Sequence, residues 1–208
     1  MKPVVYTIGR QYGSLGRKIG MCLAQKLDIP FYDNELITLA AQKSGVSPEI
    51  FEAVDEKPTN SFLYSLAMGA LNTNSVIGYQ ELSVNDKLFL AQCQVIEDAV
   101  KEGSCVFVGR CADYVLRDYE NTVNVFVYGD VEKRMERIEA LRKLSRQKAI
   151  EAVHKKDRGT ANFYNYYTNR KWGAKETYDL MLCTDHLSAE AAADVIIYFA
   201  QLMKKAGK

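Results

Sequence analysis

An α/β fold with a five-stranded parallel sheet, covered by helices on both faces, is what this sequence predicts. Three observations predict it. Five short runs (4–8, 28–33, 104–109, 122–128 and 179–184) are nearly continuous in apolar residues, as strands buried on both faces must be. Each run is followed by sequence of helical character, so strands and helices alternate as they do around a parallel sheet. The first run passes directly into a glycine-rich loop and then a helix, a frequent opening of such folds.

The opening stretch carries the most chemistry. Residues 4–9 read VVYTIG, a β-branched and aromatic strand. Ile19, Leu23 and Leu27 stand four apart, with Met21, Cys22 and Ala24 filling in, and predict one apolar helix stripe. The loop between contains Gly13, Ser14, Leu15 and Gly16, and Arg17 and Lys18 enter the helix. Strand, small-residue loop and cationic first turn together make a phosphate cradle, in which loop N–H groups and the helix N-terminus face an anion. The alternative is an ordinary βα turn whose glycines only permit a tight bend. Against the pattern G-x-x-x-x-G-K-[ST], Gly16 fits the second glycine. Gln11 then replaces the first glycine, Arg17 the lysine and Lys18 the hydroxyl residue.

Asp33 ends the second run and is placed to cap a helix over 34–42, with Leu36, Ile37, Leu39 and Ala40 inward. Ser47 and Pro48 begin another helix. From 55 to 81 the composition shifts to Pro, Thr, Asn, Ser and Gly, which reads as a helical insertion. Residues 81–101 are helical by the spacing of Leu88, Ala91, Val95, Ile96, Ala99 and Val100, and Gly103 stops them. The third strand ends at Gly109-Arg110, with Asp113 one turn later. The fourth ends at Gly129-Asp130, where Asp130 caps a helix expected to turn Val131, Met135, Ile138 and Leu141 inward. After the fifth strand comes Thr184-Asp185, then a helix over 189–204.

At 208 residues the chain fits a single domain. With 27 basic and 26 acidic residues the net charge is +1, against a general nucleic-acid binder. Five cysteines without a C-x-x-C pair point to buried reduced thiols. The N-terminal apolar run is too short for a signal peptide, and no stretch approaches the ~20 apolar residues of a membrane span, so a cytoplasmic protein is expected.

In a parallel sheet, ligands bind beyond the carboxyl ends of the strands. That rim would gather loop 9–18, Asp33, Arg110, Asp113, Asp130 and Asp185. Arg110 suits an anion there. Residues 134–172 are rich in Arg and Lys and read as two amphipathic helices whose cations are mostly solvated. Some of them, with Arg142, Arg146, Arg158 and Arg170 the candidates, could close over a phosphoryl group. Phe163, Tyr164, Tyr166 and Tyr167 would either stack on a base or pack this segment on the core. His154 and His186 are read as solvated or structural.

The strings IGRQYGSLGR (8–17), IPFYDNELI (29–37), FVGRCAD (107–113) and YYTNRKWG (166–173), in that order, resemble the cytidylate kinase-like family of the P-loop nucleoside monophosphate kinases. The resemblance implies a P-loop three-layer sandwich as one domain over 1–208, with a helical substrate-binding insertion at about 34–100 and a helical lid at about 142–173. It implies transfer of the γ-phosphoryl of ATP to a nucleotide such as CMP, with Mg²⁺ bridging the phosphates. Arg17, Arg158 and Arg170 would then be catalytic. Arg110 would hold an acceptor phosphate with its bidentate fork, while Asp33 and Asp113 read ribose hydroxyls or a base amino group. Kinases of this family carry lysine at the place of Arg17 and a hydroxyl residue soon after it. Lys18, Ile19 and Gly20 supply no hydroxyl, no strand ends in a Walker-B aspartate, and Ser14 or a rim carboxylate is left as the metal contact. Three functions stay open: a nucleotide kinase, a kinase of the same fold with another small acceptor, and a nucleotide-binding regulatory protein without chemistry.

Overall fold

In the computed structural model, which describes residues 3–34, 36–38 and 83–205, five parallel strands form one sheet. They are β1 (Val5–Arg10), β2 (Phe31–Tyr32), β3 (Cys105–Val108), β4 (Thr122–Tyr128) and β5 (Leu180–Cys183), in the order β2-β3-β1-β4-β5. The expected helices over 34–42 (beyond residue 38) and from Ser47, and the insertion over 55–81, lie outside the described residues. Each strand run is where the apolar pattern puts it, though β2 shrinks to two residues. It is an edge strand, and Pro30 just before it offers only its carbonyl, which accepts from the Val106 N–H at 2.9 Å.

Alternation along the strands divides the core into two layers. Tyr6, Ile8, Val106, Val108, Val125 and Val127 face α1 (Gly16–Leu27), where Ile19 and Leu23 are buried, and a C-terminal helix carrying Ala192, Ala193 and Ile196. Val5, Cys105 and Phe107 face the other way, onto Ile37, Ile96 and Val100. Ile96 and Val100 belong to α2 (Val84–Glu102), begun by the Ser83 hydroxyl accepting from the Asp86 N–H, with Gly103 directly after it. A short α3 (Ala112–Val115) follows β3 and supplies Ala112 to the same layer. Helices on both faces of a parallel sheet make the three-layer sandwich.

Two helices stand outside these layers. In α4 (Val131–Arg142) Asp130 caps the N-terminus as expected, accepting from the Glu132 N–H. In α5 (Arg146–Thr168) Ser145 does so, and the last helix is α6 (Ala189–Lys205). Met135 and Ile138 of α4 pack on Ala149 and Val153 of α5. Leu141, expected inward, is 77% exposed; the chain turns at Lys143 (φ 52°), so Leu144 closes that small core and Arg134 takes a buried place in α4. The five cysteines are free thiols, and burial pushes the Cys105 thiol up to about 12. No helix among the described residues is long and apolar enough to cross a membrane.

Candidate phosphate-binding and acceptor site

The turn from β1 into α1 assembles backbone donors. Gly13 (φ 82°) and Leu15 (φ 67°) are both left-handed, and Ser14 between them is fully buried. For leucine that conformation costs ~1–2 kcal/mol, so the surroundings must impose it. Fastening to β4 does this: the Gln11 N–H donates to the Val127 carbonyl at 3.0 Å, and Gln11 Oε1 accepts from the Gly129 N–H at 3.2 Å. Leu15 leaves α1 without a side-chain cap, and the first turn holds no acid. The N–H groups of Gly16, Arg17 and Lys18 therefore have no acceptor within the helix, and the positive end of its dipole adds to them. An anion would complete this arrangement.

Several side chains lie elsewhere than the sequence suggests. The Ser14 hydroxyl, the candidate metal contact, turns inward toward the carbonyls of Gln11 (2.8 Å) and Val127 (3.1 Å) and is sealed from solvent. Lys18 is exposed and lies within electrostatic reach of Glu190, so its part in the cradle is its N–H group. Arg17 gives Nε to Asp33 Oδ2 at 2.7 Å and Nη1 to the Met21 sulfur at 3.5 Å. Asp33 in turn accepts from the Leu36 N–H at 3.0 Å, the expected cap. Arg17 and Asp33, assigned to opposite substrates, thus form one ion pair.

At the end of β3, Gly109, Arg110 and Cys111 are three successive left-handed residues (φ 84°, 53° and 57°). Such strain collects where structure presents a ligand-binding group. The Arg110 guanidinium lies 5.1 Å above the Phe163 ring of α5. Asp113 turns inward and accepts from the Tyr164 hydroxyl at 2.6 Å. Burial raises its carboxyl above the ordinary aspartate range, against the Tyr164 bond and the Arg170 charge, which favour ionisation. Tyr164 and Tyr167 are buried with Phe89 and Cys111, so the aromatic group packs α5 on the core.

The four arginines expected of a lid diverge. Arg142 lies over the Tyr12 ring at 5.6 Å, facing the loop, whereas Arg146 pairs with Glu132. Arg170 lies over the Tyr114 ring at 5.2 Å, near the Arg110 turn, and Arg158 is exposed on α5. The structure adds residues the sequence did not single out. Asp157 of α5 accepts from the Tyr12 N–H at 2.7 Å and from Arg134 Nη1 at 2.6 Å. Buried Arg134 also gives Nε to the Gly129 carbonyl at 2.9 Å. Arg137 reaches the Thr184 carbonyl at 2.6 Å and that of Gly13 at 3.3 Å, and Thr184 Oγ1 donates to the Ser14 carbonyl at 3.0 Å. Arg134 and Arg137 stand three apart on a helix that starts at the rim, which is the signal that could have found them.

Among the described residues no group of three His, Cys, Asp or Glu side chains is placed to hold a metal ion. The loop's free N–H groups are of the kind that receive a phosphate, and a Mg²⁺ ion, which takes one or two carboxylates beside phosphate oxygens and water, would not need such a group.

The model of the cytidylate kinase-like family matches residues 5–186. A uronate isomerase from Corynebacterium glutamicum is 24% identical over 146 residues, which is 70% of this chain but 28% of that protein. Among solved structures, an uncharacterized protein from Eubacterium ventriosum matches with a TM-score of 0.70 at 22% identity, over 95% of this chain and 98% of that one. A gluconokinase from Sinorhizobium meliloti gives 0.59 at 12% identity (99% and 98% covered). A shikimate kinase from Acinetobacter baumannii, in complex with shikimate, gives 0.51 at 16% (100% and 96%). These likenesses speak for a shared fold, that of the P-loop kinases.

Proposed function

The chain belongs to the cytidylate kinase-like family, and from that premise we propose that it is an ATP-dependent phosphotransferase acting on a CMP-like nucleoside monophosphate. The observation that carries the proposal is the uncapped, acid-free start of α1 behind the Gly13–Leu15 turn. Its N–H groups suit the β-phosphate region of a nucleoside triphosphate. Mg²⁺ is proposed only as a companion of that triphosphate, held by phosphate oxygens and water. Mg²⁺ sites in such proteins keep several waters and substrate oxygens.

In the transfer, an acceptor oxygen forms a bond to the γ-phosphorus while the bond from phosphorus to the β,γ-bridging oxygen breaks, its electron pair leaving with ADP. A phosphate-monoester acceptor attacks as the anion, so no base is required. The protein's task is to align two phosphate groups and offset their charge. Arg110, raised on its left-handed turn, is suited to the acceptor phosphate. Arg142, over Tyr12 of the loop, and Arg158 and Arg170 are the lid cations available to the transferring group.

A second reading, a kinase for a small alcohol, is favoured by Asp33. Its carboxylate, at the end of β2, stands at the rim where an alcohol acceptor would lose its proton. Titration of CMP, dCMP, UMP and AMP, with and without ATP and Mg²⁺, separates the readings. Saturable turnover on a pyrimidine monophosphate supports the nucleotide kinase, with Arg110→Ala raising the acceptor KM and leaving the ATP KM nearly unchanged. No binding of any monophosphate at millimolar concentration favours the alcohol acceptor. ATP binding without turnover on either class leaves a nucleotide-binding protein.

A further inference from the structure

Arg10, the last residue of β1, has an unusual path. A Cβ built on Gly16 would come within 2.7 Å of Arg10 Cγ, and one on Gly109 within 3.0 Å of Arg10 Cζ. The side chain therefore runs across the bare first residue of α1, and its guanidinium lies against the bare backbone that opens the Gly109–Cys111 turn. Two glycines from distant parts of the chain leave space for one arginine. Only glycine gives that clearance, and at Gly109 the φ of 84° also favours it. The stem thus crosses the start of α1 and the guanidinium comes to rest at the turn that opens with Gly109.

The nominal loop cation is placed differently. Arg17 has its Nε on Asp33 and its Nη1 on the Met21 sulfur, and its side chain is 58% exposed. Its charge is directed to the β2 end of the rim. We infer that Arg10, rather than Arg17, is the cation that contacts the transferring phosphoryl group, taking the part the lysine plays in a conventional loop. The inference rests on the phosphotransferase reading above. A planar fork is suited to two oxygens of a terminal phosphate, and anchoring its stem along α1 removes much of the entropy cost of holding it there.

The test compares the intact parent protein with Arg10→Met, which keeps the length of the stem over Gly16, and Arg10→Lys, which restores charge. Calorimetric titrations with ADP and ATP are read beside turnover on the best acceptor, and melting temperatures check that each variant folds. The expected result is that Arg10→Met binds ADP like the parent and loses about tenfold of its preference for ATP over ADP. Its turnover falls by about a hundredfold or more, and Arg10→Lys recovers part of both. Retention of the ATP preference and of turnover in Arg10→Met overturns the inference while leaving the phosphotransferase reading intact. An equal loss of ADP and ATP binding makes Arg10 a prop of the loop, and a change in acceptor KM alone moves it to the acceptor; either outcome overturns the assignment. A parent that binds neither nucleotide overturns the phosphotransferase reading first, and this inference with it.

Discussion

Arg17 and Asp33 share a 2.7 Å contact but very unequal surroundings, since the guanidinium is 58% exposed and the carboxylate 4%. Water screens the cation, so most of what the pair contributes falls to Asp33, which also caps the helix beginning at Asn34. Removing Arg17 is therefore expected to cost only about 1 kcal/mol of stability, in keeping with a largely exposed partner. Asp33→Ala loses cap and ion pair together and is expected to cost about 2 kcal/mol, whereas Asp33→Asn keeps an oxygen for the Leu36 N–H and costs about half of that. Urea unfolding of the three variants measures these differences. Equal losses for Asp33→Ala and Asp33→Asn would show that the cap contributes nothing.

Helix α5 is joined to the loop between β1 and α1 by a single carboxylate. One carboxylate, Asp157, accepts from the Tyr12 N–H and from buried Arg134, and Arg134 holds the Gly129 carbonyl at the β4 exit. Truncating Asp157 to alanine leaves a buried guanidinium without its counter-charge, which is expected to cost about 3 kcal/mol. The loop should loosen with it, so amide exchange at Tyr12 should accelerate well beyond that in β1. If Asp157→Ala unfolds at the parent's urea midpoint, the α5–loop junction is not a stabilising contact. This junction also marks where sequence reading ends. Asp33 and Asp130 were legible as caps because a cap is a contact within three residues. The strands were legible because burial on both faces leaves an apolar run. Arg134 and Asp157 are 23 residues apart, and Thr184 and Ser14 are 170 apart. Nothing local marks such pairs, and the default for an arginine or aspartate on an amphipathic helix is solvent. Arg10 was hidden for the same reason, since its path depends on a glycine near residue 109 that only sheet pairing brings close.

At the scale of the whole molecule, the carboxyl of Asp113 couples global stability to pH. It is buried under Tyr164, where α5 closes over the end of β3, and burial raises it above its ordinary value of 3.8. Between the unfolded and folded values the folded chain holds the proton more tightly. Asp113 therefore contributes stability that is complete below about 3.8 and is lost as pH rises through its raised folded value. Asp98, Asp185 and Glu190 are shifted the opposite way, Asp98 by the Lys101 bond and the other two chiefly by backbone N–H groups. Their contributions are present at neutral pH and fade in acid, and being exposed they are small. The parent's own curve is a sum of both signs, so the informative quantity is the difference between the parent and Asp113→Asn, which keeps an acceptor for the Tyr164 hydroxyl and cannot ionise. Urea unfolding of both proteins from about pH 4 to about pH 8 gives that difference. The parent should lose stability relative to the variant as pH rises through the window, after which the difference should level off. A parent that keeps or gains stability relative to the variant as pH rises would mean that the Asp113 carboxylate ionises in the fold at least as readily as in the unfolded chain, with Arg170 and the Tyr164 hydroxyl outweighing burial.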